Sequence, residues 1–340
     1  MNPELLTQSY DYKLPEELIA SQPVQPRDSA KLLVYDRASD SITHTTAINM
    51  LHFIPSACKI FLNDTKVIKA RIFGTKESGG KVELLLNKPL DTDSYQVMIR
   101  GRVKKGSKLC FDQDLNALVT ALQKDGSRIV KFYHSGNAIV FEDLIPILDK
   151  IGHVPLPPYI HREDNAEDER DYQTLFAKNS GAVAAPTASL HFTPELLKNL
   201  KIKHDTYALT LHIGAGTFKP VESDLILEHP MHSEYFEIPK NSSTVLDSHD
   251  PILAIGTTVT RTIEHYARTK QTQGECDLFL NPLNPPIRVN HLLTNFHLPK
   301  STLIMLVAAF VGRNKTLQLY EEAIKNRYRF FSYGDAMLIL

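Results

Sequence analysis

The feature that most narrows the fold is a change of texture within one chain of 340 residues. From Ile60 to about Val140 the apolar residues fall in short β-rich runs: "KIFLND", "KVELLL", "SYQVMIR", "NALVTAL" and "SRIVKFYH". Clusters such as "GTKESGGK" and "KKGSK" separate them, and strands at this spacing predict a small barrel or sandwich. "FEDLIPILDK" then reads as a short helix and "HVPLPPYI" as a proline-rich boundary. Beyond it, strands and helices alternate. "TYALTLHIG" and "PILAIG" are strands, while "TTVTRTIEHYART", "STLIMLVAAFVG" and "TLQLYEEAIKNRY" are helices. Alternation of this kind predicts α/β layers around a partly parallel sheet. The N-terminal "DYKLPEELIASQPVQPRDSAKLLVYDR" shares this second texture. The expected architecture is a discontinuous α/β main domain, residues 1–62 plus 151–340, with a small antiparallel β-barrel inserted at 63–150.

Other classes are excluded by what the chain lacks. The longest apolar run, Leu303–Gly312, is too short to cross a bilayer, which needs about 20 residues. The start "MNPELLTQSYDYKLPEELI" has no basic head and no apolar run, so no signal peptide is expected. Cys58, Cys110 and Cys276 are far apart and odd in number, giving neither a disulfide framework nor a zinc pattern. A soluble, cytoplasmic protein is expected. The net charge of −1 argues against a general nucleic-acid binder, but the balance is uneven. From Lys66 to Lys108, eleven Lys and Arg face four Asp and Glu. That surplus suits a phosphate backbone, although a solvated surface also accounts for it.

Several stretches are candidates for chemistry. "GTKESGGKV" has glycines and a lysine, but Val82 stands where a phosphate loop needs Ser or Thr, so it reads as a hairpin turn. "TLHIGAGTF" runs a strand into Gly214 and Gly216 without the third glycine of a dinucleotide fingerprint. The pair either admits a ligand close to the backbone or simply ends the strand. In "AIGTTVTR", Thr257 and Thr258 open a helix whose N–H groups suit a carboxylate or phosphate, though capping alone explains them. "EHPMHSE" brings His229, His232 and Glu234 together, the basis for a metal-dependent hydrolase as a rival reading. "LLTNFHLPKSTL" holds Asn295 and His297 between apolar residues, a setting that lowers an imidazole pKa. "SGAVAAPTASLHFTPEL" keeps its backbone nearly bare and then presents His191, Phe192 and Thr193. Thr193 reads as a helix N-cap, with Pro194 at the first helical position and Glu195 in the positive first turn.

Taken in order, the blocks form a series. "PRDSAKLLV", "NDTKVIKARI", "PLPPYI", "DYQTLFAKNSGAVAAPTASLHFT", "TLHIGAGTFKPV", "HPMHSE", "AIGTTVTRTIE", "LLTNFHLPKSTL" and "RYRFFSYGDAMLI" together resemble the bacterial S-adenosylmethionine:tRNA ribosyltransferase-isomerase family of queuosine biosynthesis. The resemblance runs nearly end to end. Ser189 departs from it where glycine is usual, Lys69 where proline is usual, and "FLNPLNPPIRVN" where the family is more regular.

The resemblance implies an α/β domain with an inserted barrel. It also implies transfer of the ribosyl part of S-adenosylmethionine to the aminomethyl group of preQ1 at the tRNA wobble position. Adenine and methionine leave, and the product is epoxyqueuosine-tRNA. S-adenosylmethionine is then a co-substrate, with no separate cofactor, metal, membrane or obligate protein partner implied; a monomer is the default. This chemistry needs a base beside the sulfonium and a proton for the departing adenine. Within the matched blocks His191, His212, His232 and His297 are the candidates, with Asp28 and Glu234 to orient an imidazole or neutralise the cation. Expected ligand contacts are Gly214, Gly216, Thr217, Thr257, Thr258 and Asn295. Phe192, Phe218 and Phe296 are candidates for stacking or, equally, for core packing. Arg71, Arg100 and Arg102 of the barrel are expected to grip the anticodon stem-loop. A non-catalytic RNA-binding protein is the second rival; it would bind tRNA without consuming S-adenosylmethionine.

Overall fold

The computed structural model describes residues 2–218 and 221–340. A nine-stranded mixed sheet forms the main body. At its centre Thr206–Leu211, Lys59–Asn63, Ile252–Ile255 and His291–Asn295 lie side by side, all parallel. Ala336–Ile339 pairs antiparallel to His291–Asn295 and parallel to Lys31–Asp36. Ser41–Thr46 closes that edge, and Glu234–Glu237 and Gln273–Cys276 close the other. The central strands are nearly continuous apolar runs because both of their faces are covered, as parallel strands require. Period-two alternation decides which helix each residue meets. Phe61, Ile252 and Ala254 pack toward the Thr257–Thr269 helix, whereas Ile60, Leu62, Leu253 and Ile255 pack toward the Pro194–Lys203 helix. The Thr302–Val311 and Arg313–Lys325 helices cover Leu33, Leu292, Met337 and Ile339.

The second unit is a closed antiparallel barrel. Its six strands follow one another around the ring as Arg71–Lys76, Lys81–Pro89, Tyr95–Arg100, Arg128–His134, Leu115–Leu122 and Lys108–Phe111, the last pairing back to the first. Alternating residues such as Val82, Leu84 and Leu86 fill the interior. The Phe141–Ile151 helix adds Leu144 and Leu148 to that interior. The two units share packing. Val183 and Ala215 from the α/β body join the barrel's apolar cluster, and Arg71 and His153 bridge where the chain enters and leaves. The mixed, largely parallel sheet with an antiparallel barrel is the fold class the sequence predicts.

One region differs from the expected texture. Among the described residues before Lys31 the helical turns are all 3₁₀, at Pro3–Leu5, Thr7–Tyr10, Glu16–Leu18 and Arg27–Ser29, with isolated bridges at Leu6 and Ile19. Pro15, Pro23 and Pro26 remove the N–H groups that a longer helix would need. Among the described residues no helix is long and apolar enough to cross a membrane.

Candidate active site

A cleft lies where the parallel strands Ile252–Ile255 and His291–Asn295 end at their carboxyl sides. This is where open α/β sheets bind ligands. One wall is the bare stretch Ala184, Ala185, Pro186, Thr187 and Ala188, whose small side chains leave room beside the backbone. Gly256, Thr257 and Thr258 form a second wall. Gly256 has φ +101°, a conformation open to glycine, and it turns the strand directly into the Thr257–Thr269 helix. The first-turn N–H groups of that helix therefore border the cleft. Thr294 to Leu298 form the third side, and Tyr159, Phe331 and Ser332 close the fourth.

His297 is the imidazole in the cleft wall. Its Nε2 is 2.8 Å from Thr294 Oγ1, its main-chain N–H donates to Tyr320 Oη at 3.0 Å, and Tyr12 Oη donates to its carbonyl. Burial lowers its pKa to about 3, so the ring is neutral at physiological pH. His191 lies behind the wall rather than in it and is 4% exposed. Burial first, then the Arg329 charge, lowers its pKa to about 4, with Asn295 partly opposing and Arg27 adding to the effect. His191 Nε2, Ser189 Oγ and Asn295 Oδ1 are all buried without completing a hydrogen bond. Ser189 is thus a residue of the layer behind the cleft, not of its surface. Asn295 reaches the cleft itself, with Nδ2 donating to the Phe331 carbonyl at 3.0 Å.

The remaining expected acid–base groups sit elsewhere. His212 bonds Thr65 through Nδ1 at 2.8 Å and stacks on Tyr235; burial lowers its pKa. Glu234 is 2% exposed, and its oxygens meet Arg261 Nη1 at 2.5 Å and the Gly214 N–H at 3.0 Å. Burial works to raise this carboxyl, but Arg261, His232 and the Gly214 N–H together hold it at about 2. It is a locked structural anion. His232 lies 3.5 Å from it, and His229 packs edge-on against Phe279. Among the described residues no group of three or more His, Cys, Asp or Glu is placed to hold a metal ion, and His229, His232 and Glu234 are not such a set. Asp28 accepts from Thr193 Oγ1 at 2.7 Å, helping fix the N-cap of the Pro194–Lys203 helix. Among the described residues none of its hydrogen bonds goes to an imidazole.

The glycine pair of "HIGAGTF" makes room for the protein itself. A Cβ on Gly216 would lie 2.8 Å from the His232 ring, and one on Gly214 would lie 3.1 Å from Asn87 Oδ1. The side chains of Thr217 and Phe218, both expected at the ligand, lie outside the described residues. Phe192 is fully buried in the core cluster beneath the sheet. Phe296 borders the cleft, but its ring packs on Tyr320, Tyr328 and Phe330. Neither Phe192 nor Phe296 offers a free face for stacking.

The model of the queuosine biosynthesis protein family matches residues 7–339. The chain belongs to this family. Among curated relatives, the S-adenosylmethionine:tRNA ribosyltransferase-isomerase of Aliarcobacter butzleri is 64% identical over 336 residues, 99% of each chain. The protein of that name from Campylobacter jejuni is 59% identical over 343 residues, spanning both chains completely. A crystal structure of S-adenosylmethionine tRNA ribosyltransferase from Thermotoga maritima is 35% identical, with a TM-score of 0.54, covering 98% of this chain and all of that one.

Within the family blocks, some residues that shape the cleft carry no catalytic signature in the sequence. Tyr159 in "PLPPYI" has the pattern of an interdomain connector, yet that segment delivers its ring to the site. Phe331 and Ser332 in "RFFSYGDAMLI" have the pattern of scaffold. Arg261 has the pattern of one more helix cation, but it is 5% exposed and is the partner that immobilises Glu234.

Proposed function

We infer that this chain is an S-adenosylmethionine:tRNA ribosyltransferase-isomerase of queuosine biosynthesis. It transfers and isomerises the ribosyl part of S-adenosylmethionine onto the aminomethyl group of preQ1 at the tRNA wobble position. The product is epoxyqueuosine-tRNA, and adenine and methionine are released. The reading rests on the relatives' names and on one observation: a buried, neutral imidazole, His297, stands between a helix N-terminus and an aromatic wall.

The sulfonium makes the adjacent C–H acidic, and a neutral imidazole accepts that proton. In the tautomer that donates Nε2–H to Thr294, Nδ1 of His297 carries the lone pair. The Thr257–Thr258 helix start receives the methionine carboxylate. Adenine departs with the glycosidic electron pair and takes up a proton, the neutral amine of preQ1 attacks the sugar, and methionine leaves. His191, held neutral behind the wall, supports Asn295 rather than touching the sulfonium. The barrel presents its exposed cations to the anticodon stem-loop. S-adenosylmethionine is a co-substrate, no further cofactor or protein partner takes part, and the reading assigns the reaction to the cytoplasm, where tRNA is.

The test is mass spectrometry of a preQ1-containing anticodon stem-loop after incubation with S-adenosylmethionine. The expected result is a mass gain on the RNA with equimolar free adenine and methionine. An unchanged mass with no adenine released would sink the reading.

A further inference from the structure

Three consecutive sheet strands set the order of groups along the cleft. Ile252–Ile255 leads into Thr257, His291–Asn295 leads into His297, and Ala336–Ile339 is preceded by Phe331 and Ser332. Neighbouring strands are about 4.8 Å apart, so the helix start and the aromatic wall are separated by roughly 10 Å, with His297 between them. An anion is favoured at the helix start. A flat, polarisable base is favoured at the aromatic end.

That aromatic end is unusually constrained. Phe331 has φ +71°, an uncommon conformation for a residue with a side chain, and such outliers concentrate at ligand clamps. Three hydrogen bonds hold it there: its N–H donates to the Phe296 carbonyl at 3.0 Å, and its carbonyl accepts from Asn295 Nδ2 at 3.0 Å and from the Gly334 N–H at 2.9 Å. The Tyr159 ring lies against the Phe331 ring, centroids 4.7 Å apart. Its hydroxyl is 2.5 Å from Ser332 Oγ and accepts from the Ser332 N–H at 3.3 Å. Burial pushes the Tyr159 hydroxyl up to about 12, which keeps its proton in place.

We propose that Tyr159, oriented by Ser332 and backed by Phe331, forms the subsite for the departing adenine of S-adenosylmethionine: its ring packs on the base and its hydroxyl donates a hydrogen bond to a ring nitrogen. This rests on the reading of the chain as a ribosyltransferase that consumes S-adenosylmethionine. The hydroxyl stays protonated; it stabilises negative charge gathering on the base as the glycosidic bond breaks. Hydrogen bonds that strengthen only as charge develops act on turnover more than on substrate affinity.

The experiment separates base from amino acid by using the two products as probes. Calorimetric titration of adenine and of methionine into the wild-type protein, Y159A and Y159F is paired with steady-state adenine release. The proposal expects Y159A to weaken adenine binding about tenfold or more while methionine affinity stays within about twofold. It expects Y159F, which keeps the ring, to lower kcat about tenfold or more with the KM for S-adenosylmethionine changed less than about threefold. Wild-type adenine affinity in Y159A, or an equal loss for methionine, would overturn it. So would wild-type kcat in Y159F, a variant whose fold keeps its packing. If the wild-type protein itself neither binds adenine nor consumes S-adenosylmethionine, the functional reading fails instead, and the two failures are distinct.

Discussion

His297 Nε2 and Thr294 Oγ1 are 2.8 Å apart at the end of a parallel strand, and the bond fixes the ring of the imidazole that lines the cleft. Burial lowers its pKa to about 3, so the His297 ring is neutral at neutral pH. H297A is expected to cut turnover at least about a hundredfold, the scale for losing an acid–base group. T294V is expected to lower kcat about tenfold with little change in KM, because the ring survives but its tautomer is no longer fixed. Steady-state adenine release measures both, and near-normal turnover in H297A would remove it from the mechanism.

Burial of neutral imidazoles also sets an acid limit on stability. His191, His212, His229, His291 and His297 all have folded pKa values below the usual imidazole value, each chiefly through burial. Unfolding lets them bind protons that the folded chain refuses. Their contribution is therefore complete above about pH 6.5 and is lost as the pH falls toward the folded values, by up to about 1.4 kcal/mol per pH unit for each proton at the well-buried His191 and His297, and by less at the partly exposed rings, where solvent screens the effect. Glu234 acts in a lower window, below its unfolded pKa of about 4.3. Urea denaturation at pH 7.5, 6.5 and 5.5 should show falling stability, with a shallower slope in H191N. A flat profile would mean that these rings take up protons in the folded state.

The architecture was legible because its signals are local and periodic. The "PILAIG" strand and the "TTVTRTIEHYART" helix lie where their patterns put them, and Thr193 caps its helix through Oγ1 to the Leu196 N–H at 3.2 Å. The site was legible in part. Thr257, Thr258, Asn295 and His297 come together because each lies at or just beyond a strand end that the sheet order aligns. What a linear reading could not supply was which polar groups find partners across the fold. Glu234 and Arg261 are 27 residues apart in sequence but form one buried pair, so the carboxylate that looked catalytic is already engaged. The divergent 280–290 stretch shows the same limit. The buried Glu264 carboxylate accepts from the N–H groups of Ile287, Arg288 and Val289, an anchor that no side-chain pattern in those residues reveals.

Removing one member of that pair should cost stability before it costs chemistry. E234A leaves the Arg261 guanidinium buried without its carboxylate and frees the Gly214 N–H, and losses of this kind run to about 3–5 kcal/mol. E234Q keeps a hydrogen-bond acceptor and should lose less. Replacing both partners with apolar residues of similar volume should recover part of the loss. Denaturant midpoints across this cycle check the expectation. A stable E234A with turnover abolished would return Glu234 to the catalytic set.

The start of the Thr257–Thr269 helix should govern the amino-acid end of the co-substrate. T257V removes a hydroxyl at the cleft, while Thr258 is already engaged by Asn63 Nδ2 at 3.3 Å. T257V is therefore expected to raise the Kd for methionine about three- to tenfold with adenine binding unchanged. G256A forces a side chain to φ +101°, which costs about 1–2 kcal/mol and misaligns the first-turn N–H groups. It should weaken methionine more than T257V does. Calorimetry with methionine and adenine separately gives both answers, and equal effects on the two probes would contradict the assignment.

Binding of RNA should depend on a compact part of the barrel. Arg71 is occupied by Glu83 at 2.8 Å and lies over the Phe73 ring, so its loss should damage the barrel itself. Arg100 is different: its side chain is 81% exposed, with a single long contact to Glu83 at 3.3 Å. Arg102, Lys104 and Lys105 follow it, exposed, on the loop before Lys108–Phe111. R100A, R102A and K104A are each expected to weaken binding of an anticodon stem-loop. Each should also reduce the slope of log K against log salt by about one for every phosphate it no longer neutralises. Adenine and methionine binding should be unaffected. Fluorescence anisotropy from 50 to 300 mM salt measures the slope. Wild-type slopes in all three variants would move the RNA-binding surface off this loop.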